Sequence, residues 1–180
     1  MPLWYSRGVR AYAPQEEESM VIKHASRKDI AALTAVETAC FPPAEAATEK
    51  EFIDRVQYYG NHFWLLYEGD KLLAFVDGFV TDEPDLTDVM YEDAALHNEQ
   101  GAWQMIFGVN TLPEYRRHGY AGQLLRRAIA DARQQGRRGL VLTCKERLLP
   151  YYAKFGFQDE GVTDKSTHGN AAWHQMRLSF

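Results

Sequence analysis

The chain has 180 residues, 46% hydrophobic and 25% charged, which fits one globular domain and excludes a disordered or low-complexity chain. The net charge of −5 argues against a general nucleic-acid binder, which carries a basic surplus, and is compatible with a cationic substrate. Two cysteines, Cys40 and Cys144, make neither a disulfide framework nor a zinc site; both stand in apolar stretches, read as buried thiols and suit a cytoplasmic location.

No apolar run reaches membrane-spanning length. Arg7, Arg10 and Glu16 to Glu18 interrupt the N-terminus where a signal peptide would need an apolar core. Residues 1–19 show no sustained period and read as an extension, either partly disordered or docked through its apolar patch Leu3, Trp4 and Tyr5. The patterned domain runs from 20 to 180.

Met20 to His24 is a short strand candidate. Ser26 and Asp29 then form an N-cap pair ahead of a helix carrying Ile30, Leu33, Val36 and Glu37, which Pro42 and Pro43 stop. Thr48 and Glu51 form a capping box for a second helix with Phe52, Ile53, Val56 and Tyr59, ended by Gly60. Strands are expected over about 62–67 and 72–81, joined by a tight turn at Glu68-Gly69-Asp70. Residues 82–100 are polar and carry no clear period. A strand follows over 102–111, and the clearest helix runs from Gly119 to Gln135 with Leu124, Leu125, Ala128, Ile129 and Ala132 on its apolar face. Leu140 to Thr143 is a wholly apolar strand, as expected where both faces are covered. A short helix over 148–155 and strands over 157–162 and 172–180 complete the pattern.

Strand 102–111, helix 119–135 and strand 140–143 form a β-α-β unit, so those two strands should be parallel with a right-handed crossover. The strands on either side should pair antiparallel. The expected architecture is α/β: a mixed, mostly antiparallel sheet with helices on both faces.

The strongest local signal is Arg116-Arg117-His118-Gly119-Tyr120-Ala121-Gly122, between a strand and a helix. Unpaired N–H groups at a helix start, together with the helix dipole, make an anion site, and the small residues let phosphates reach the backbone. No Gly-Lys-Ser/Thr follows, and the spacing is not that of a dinucleotide fingerprint. Alone, the segment fits a basic turn eased by glycines equally well.

The Arg-x-x-Gly-x-Ala pattern, with Pro113-Glu114-Tyr115 ahead of it and Leu124-Leu125 behind, resembles the acetyl-CoA motif of the GNAT N-acetyltransferase superfamily. The segment Tyr152-Ala153-Lys154-Phe155-Gly156-Phe157 resembles its second hallmark, in the expected order and spacing. The likeness extends over residues 20–180. Within the superfamily, Cys40-Phe41-Pro42-Pro43-Ala44-Glu45, the stretch 82–87 and the stretch 144–152 are most similar to arylalkylamine and polyamine acetyltransferases.

The resemblance implies a fold whose two parallel strands splay apart, and transfer of acetyl from acetyl-CoA to the amine of a small molecule. It implies that the backbone of Arg117, His118, Gly119, Tyr120, Ala121 and Gly122 holds the pyrophosphate, with Arg116 and Arg117 adding positive charge at the cofactor site. The main chain of Val109, Asn110 and Thr111 would pair with the pantetheine arm, an N–H near Val109 would face the oxyanion, and Tyr152 would stand by the thioester sulfur.

The reaction needs a deprotonated amine (alkylamines titrate near ~10), a stabilised oxyanion and a proton for the leaving thiolate. Tyr152 is the candidate acid; a core aromatic would look the same without the family context. The arylalkylamine enzymes carry two histidines on the strand before the cofactor loop, and the matching positions here are Met105 and Phe107, neither of which accepts a proton. The base is therefore elsewhere, or the amine enters neutral. Candidates are Glu37, Glu45, His97 and His174, with Glu45 and His174 ahead, although each also reads as an ordinary solvated or sheet residue. Phe41, Pro42, Met105, Phe107 and Trp173 are the expected walls of the acceptor pocket. His24, His62 and His168 show no ligand spacing with a cysteine or carboxylate cluster, so no metal is expected.

Two alternatives keep the same fold: a protein or peptide N-acetyltransferase, or an acyl-CoA-binding domain without catalysis. A dinucleotide-dependent oxidoreductase does not fit the glycine pattern. Monomer and homodimer are both open.

Overall fold

The structure is a computed structural model that describes residues 19–180. The extension and its apolar patch at Leu3, Trp4 and Tyr5 lie outside the described residues. Fourteen regular elements follow in order: β1 Met20–Lys23, α1 Ile30–Cys40, α2 Glu49–Tyr59, β2 Phe63–Glu68, β3 Lys71–Asp77, β4 Val80–Thr81 and α3 Asp88–Glu92. Then come β5 Trp103–Ile106, β6 Gly108–Thr111, α4 Tyr120–Gln134, β7 Gly139–Cys144, α5 Leu149–Ala153, β8 Gln158–Val162 and β9 His174–Ser179.

The cap chemistry read from the sequence is present. Ser26 N donates to Asp29 Oδ2 at 2.8 Å, at the turn that leads into α1. Thr48 N donates to Glu51 Oε2 at 2.7 Å and Glu51 N to Thr48 Oγ1 at 3.3 Å, closing the box at the start of α2. Gly69, at φ 53°, turns the chain between β2 and β3.

The strands form two hydrogen-bonded groups, β1-β2-β3-β6 and β4-β5-β7-β9-β8. The sequence predicts single strands over 72–81 and 102–111; each is instead broken in the middle, at Gly78-Phe79 and at Phe107. Across the breaks Met105 N donates to Phe79 O and Phe107 N to Asp77 O, both at 2.8 Å. The two broken strands thus stay paired and carry one twisted mixed sheet through both groups. The break has a local cause: a Cβ at Gly78 would lie 1.7 Å from Met105 O, so the backbones approach too closely for a side chain there.

The pair β5–β7 is parallel, as expected, and ends at Ile106↔Leu142. Beyond it β6 stays with β3 while β7 continues with β9. The sheet splits there, leaving the far edge of β6 open.

Helices cover both faces. In β2, Phe63 and Leu65 face α1 and α2 with Leu33, Phe52, Phe75 and Met105, while Trp64 and Leu66 face α4 with Leu124, Leu125 and Ala128. This two-sided burial explains why β2 and β7 read as unbroken apolar runs. Each large apolar side chain so buried contributes roughly 1.5–3 kcal/mol relative to exposure. Residues 82–100, without a period in sequence, hold α3 and a short turn of helix over Ala94–Leu96.

Candidate active site

The split in the sheet is flanked by two cavities that share Phe41. The first, of about 760 Å³, runs from the open edge of β6 to the start of α4. Val109, Asn110 and Thr111 line it from β6. Arg116, Arg117, Gly119, Tyr120, Ala121 and Gly122 line it from the turn and the first turn of α4. Tyr152 lines it from α5. His118 does not line it: its Nδ1 faces the carbonyls of Tyr115 and Arg116 at 2.9 and 3.0 Å, and its ring stacks on Tyr120. The expectation for His118 concerned its backbone, and the turn folds its imidazole back on neighbouring carbonyls.

The turn is shaped to present backbone. Arg117 and Gly119 have φ of 66° and 79°, and the first α-helical bond of α4 is Gln123 N to Gly119 O. The N–H groups ahead of Gln123 are free of that ladder, at the positive end of the helix dipole. Holding Arg117 in the left-handed region costs energy, of order 1 kcal/mol, of the kind found at ligand clamps. A Cβ on Gly119 would meet nothing within 4 Å, so space is open above the turn. These features suit a diphosphate, and the open edge of β6 suits an extended amide-bearing arm. Cys40, Tyr115, Arg147, Leu148 and Tyr151 also line this cavity. None of them is a candidate from the sequence: Tyr115 stands just ahead of the turn, and the approach of α1 and of α5 with the segment leading into it brings the other four.

Tyr152 is 7% exposed, and burial raises its hydroxyl well above the usual range, so it holds its proton. Cys40 Sγ donates to Thr111 O at 3.2 Å, and Arg116 Nε donates to the same carbonyl at 3.2 Å, so β6 is tied at its end to both α1 and the turn.

The second cavity, of about 420 Å³, opens on the other side of the split. Phe41, Phe107 and Trp173, three of the residues expected around an acceptor, wall it. Met105 does not reach it, being fully buried in the core beneath α2. Pro42 is exposed and holds the turn, its carbonyl accepting from Glu45 N and Ala46 N. Beside the aromatic walls the lining is acidic, with Glu37, Glu45, Glu51, Asp77, Asp88 and Glu92, and with Arg55 the cation among them.

The candidate bases separate by position. Glu45 lines the cavity, 3.7 Å from Lys145 Nζ. Glu37 lines it too, but its oxygens accept from Ala47 N at 3.0 Å and from Asn110 Nδ2; burial raises its pKa. His174 turns away on β9, with Nδ1 3.1 Å from Asp159, and does not line the cavity. His97 lies outside as well: its Nδ1 accepts the Val80 N–H and its Nε2 faces Glu99. With its Nδ1 lone pair engaged, the Nε2 of His97 carries the proton. His62 Nε2 also faces Glu99, at 2.8 Å, so His62, His97 and Glu99 share one hydrogen-bond network.

Two residues not singled out in the sequence stand on the cavity wall. Asp77, 1% exposed, ends β3 directly opposite Gly108. Arg55 of α2 places Nη1 3.3 Å from Asp77 Oδ2 and Nη2 3.1 Å from Tyr91 O. Neither carries a sequence signal: Asp77 falls inside the strand expected over 72–81, and Arg55 lies off the apolar positions Phe52, Ile53, Val56 and Tyr59 of its helix.

Residues 30–157 match the family model described as Acetyltransferase (GNAT) family. The chain belongs to this family. Its members draw the acetyl group from acetyl-CoA, which the diphosphate-shaped turn fits. This GNAT acetyltransferase is similar to serotonin N-acetyltransferase of Mesocricetus auratus, 32% identical over 115 residues that cover 63% of this chain and 54% of the relative. The match thus spans about half of that relative's length. Among solved structures, its fold is similar to the loading GNATL domain of CurA from Lyngbya majuscula, with a TM-score of 0.76, 18% identity, and coverage of 89% and 98% of the two chains. It is also similar to a GNAT family acetyltransferase from Brucella melitensis in complex with acetyl-CoA, with a TM-score of 0.58, 21% identity, and coverage of 91% and 89%. Among the described residues, no helix is long and apolar enough to cross a membrane.

Proposed function

We propose that this acetyltransferase moves the acetyl group of acetyl-CoA onto the amine of a small cationic molecule of the arylalkylamine or polyamine kind. The observation that carries the reading is the second cavity, which meets the first at Phe41 and combines aromatic walls with a carboxylate-rich lining. Ammonium groups are drawn to such a lining, and Phe41, Phe107 and Trp173 offer faces to the carbon skeleton.

Acetyl-CoA supplies the activated acetyl thioester. The turn from Arg116 to Gly122 binds its diphosphate through backbone N–H groups, and Val109 to Thr111 align the arm along the split. The N–H near Val109 serves as the oxyanion donor. Tyr152 holds a proton on its hydroxyl and delivers it to the departing sulfur. Glu45 and Asp88 line the acceptor side and favour a positively charged ligand.

The test is steady-state acetylation of a panel: an aromatic monoamine, a diamine, a polyamine and a short peptide with a free N-terminus. The small cationic amines should exceed the peptide by about tenfold or more in kcat/KM, roughly 1.4 kcal/mol. A peptide preferred over every small amine would overturn the reading.

A further inference from the structure

We propose that Asp77 is the base that takes the proton from the acceptor ammonium, and that Arg55 sets the pH range in which it does so. This rests on the reading of the second cavity as the acceptor site.

The reaction needs a proton acceptor beside the point where the strands part. Met105 and Phe107, on the strand and the break that lead to β6, accept no proton, and Met105 is buried in the core. His97 and His174 stand outside the cavity, and Asp77, unlike Glu37 and Glu45 on its lining, is paired across the strands with Gly108 at the split. Asp77 stands at the required place. It pairs with Gly108, the first residue of β6 past the split, and it lines the cavity. Gly108 has no side chain to cover it: a Cβ there would lie 2.6 Å from Asp77 Oδ1. The bare glycine leaves the carboxylate facing the gap between the strands. Phe107, beside it, closes the apolar side of the same wall.

The surroundings tune the carboxyl. Burial raises its pKa, to about 7, against the opposing pull of Arg55, with Glu37 of α1 raising it further and the Gly108 N–H lowering it. Tyr59 of α2 and Tyr91 of α3 face the same cluster and stay neutral there, since burial raises both hydroxyls. A carboxylate poised near neutrality is matched to general-base work.

The proton balance closes. One N–H bond of the ammonium breaks and its proton passes to a carboxylate oxygen of Asp77, then to solvent. The freed lone pair forms the C–N bond as the C–S bond breaks, and Tyr152 gives its hydroxyl proton to the sulfur. The second proton lost by the nitrogen restores the Tyr152 hydroxyl. One proton is released per ammonium acetylated.

The experiment measures kcat against pH for wild type, Asp77→Asn, Arg55→Met and Arg55→Lys, with acetyl-CoA affinity measured separately by calorimetry. Wild-type kcat should rise with pH through about 7, as Asp77 ionises, and then level. Asp77→Asn should lose about 100-fold or more in kcat, and lose that rise, while still binding acetyl-CoA. Arg55→Met removes the cation that favours the ionised carboxyl, so the rise should move to higher pH; Arg55→Lys should return it toward wild type. A merely structural ion pair would change stability without moving the profile. If Asp77→Asn proves unfolded, the Arg55 pair of variants decides alone. The proposal is overturned if Asp77→Asn keeps the wild-type rate and profile, or if the rise stays in place in Arg55→Met. Wild type that binds acetyl-CoA but acetylates no amine in the panel instead overturns the acceptor-site reading, and the base with it.

Discussion

Gly108 faces Asp77 across the β3–β6 pair so closely that a Cβ on the glycine would lie 2.6 Å from Asp77 Oδ1. Gly78, one residue beyond Asp77, faces Met105 more closely still, at 1.7 Å from its carbonyl oxygen. The two glycines should respond differently to alanine. At Gly108 the obstacle is a side chain that can shift, so Gly108→Ala should fold and lose activity as Asp77 is displaced. At Gly78 the obstacle is backbone, so Gly78→Ala should cost about 3 kcal/mol or more, near the upper end for overpacking. Thermal unfolding and a turnover assay on both variants check the contrast.

Tyr152 is buried and lines the donor cavity beside Tyr151. Tyr152→Phe keeps the ring and removes the proton. Its kcat should fall by about 100-fold with acetyl-CoA affinity unchanged, as expected for loss of a general acid. An equal fall in affinity, measured by calorimetry, would instead mark the hydroxyl as a binding group.

Gly119 tests the turn. Its φ of 79° disfavours any side chain, while the space above it is open. Gly119→Ala should therefore cost about 1 kcal/mol of stability through the backbone alone. Gly119→Glu adds a negative charge where the diphosphate is expected, and acetyl-CoA binding should weaken by well over tenfold beyond the alanine variant. Calorimetric titration of the two variants separates backbone from charge.

Asp29 governs an acid limb of stability. Burial raises its pKa, but Lys23, Ser26 and Tyr67 outweigh burial and the net shift is downward. Its carboxylate receives Tyr67 Oη at 2.8 Å, and Lys23 Nζ lies 2.8 Å away. A depressed folded-state pKa means the stabilisation is present above the unfolded value near ~3.9 and is lost as pH falls through the lower folded value. Asp29→Asn should cost about 1–3 kcal/mol at pH 7, and the gap between wild type and variant should narrow below about pH 4. Urea unfolding at pH 3 and pH 7 measures both.

Much of the architecture was legible because the signals are local. The capping box at Thr48 and Glu51, the stripe of Leu124, Leu125 and Ala128 on α4, and the apolar run of β7 each report their own element. The breaks at Gly78 and Phe107 were not legible, since a strand is interrupted by what its neighbour does, and Met105 O is close to Gly78 only in the folded sheet. The polar stretch 82–100 hid α3 for a related reason: α3 is five residues long and is held by tertiary bonds, such as those from Ser166 and Thr167 to Asp88.

The sequence by itself determined the mixed α/β fold and the turn from Arg116 to Gly122, because a helix start beside small residues is a local arrangement and needs no distant partner. Only the tertiary structure decided what faces the acceptor side. Met105 and His174 are excluded from that cavity and Asp77 and Arg55 are admitted to it, because strand register and the parting of β6 from β7 fix which way each side chain points. Arg55 and Asp77 are 22 residues apart in sequence and meet only where α2 crosses β3. No periodicity in the chain encodes that meeting; it follows from packing α2 against the face of the sheet.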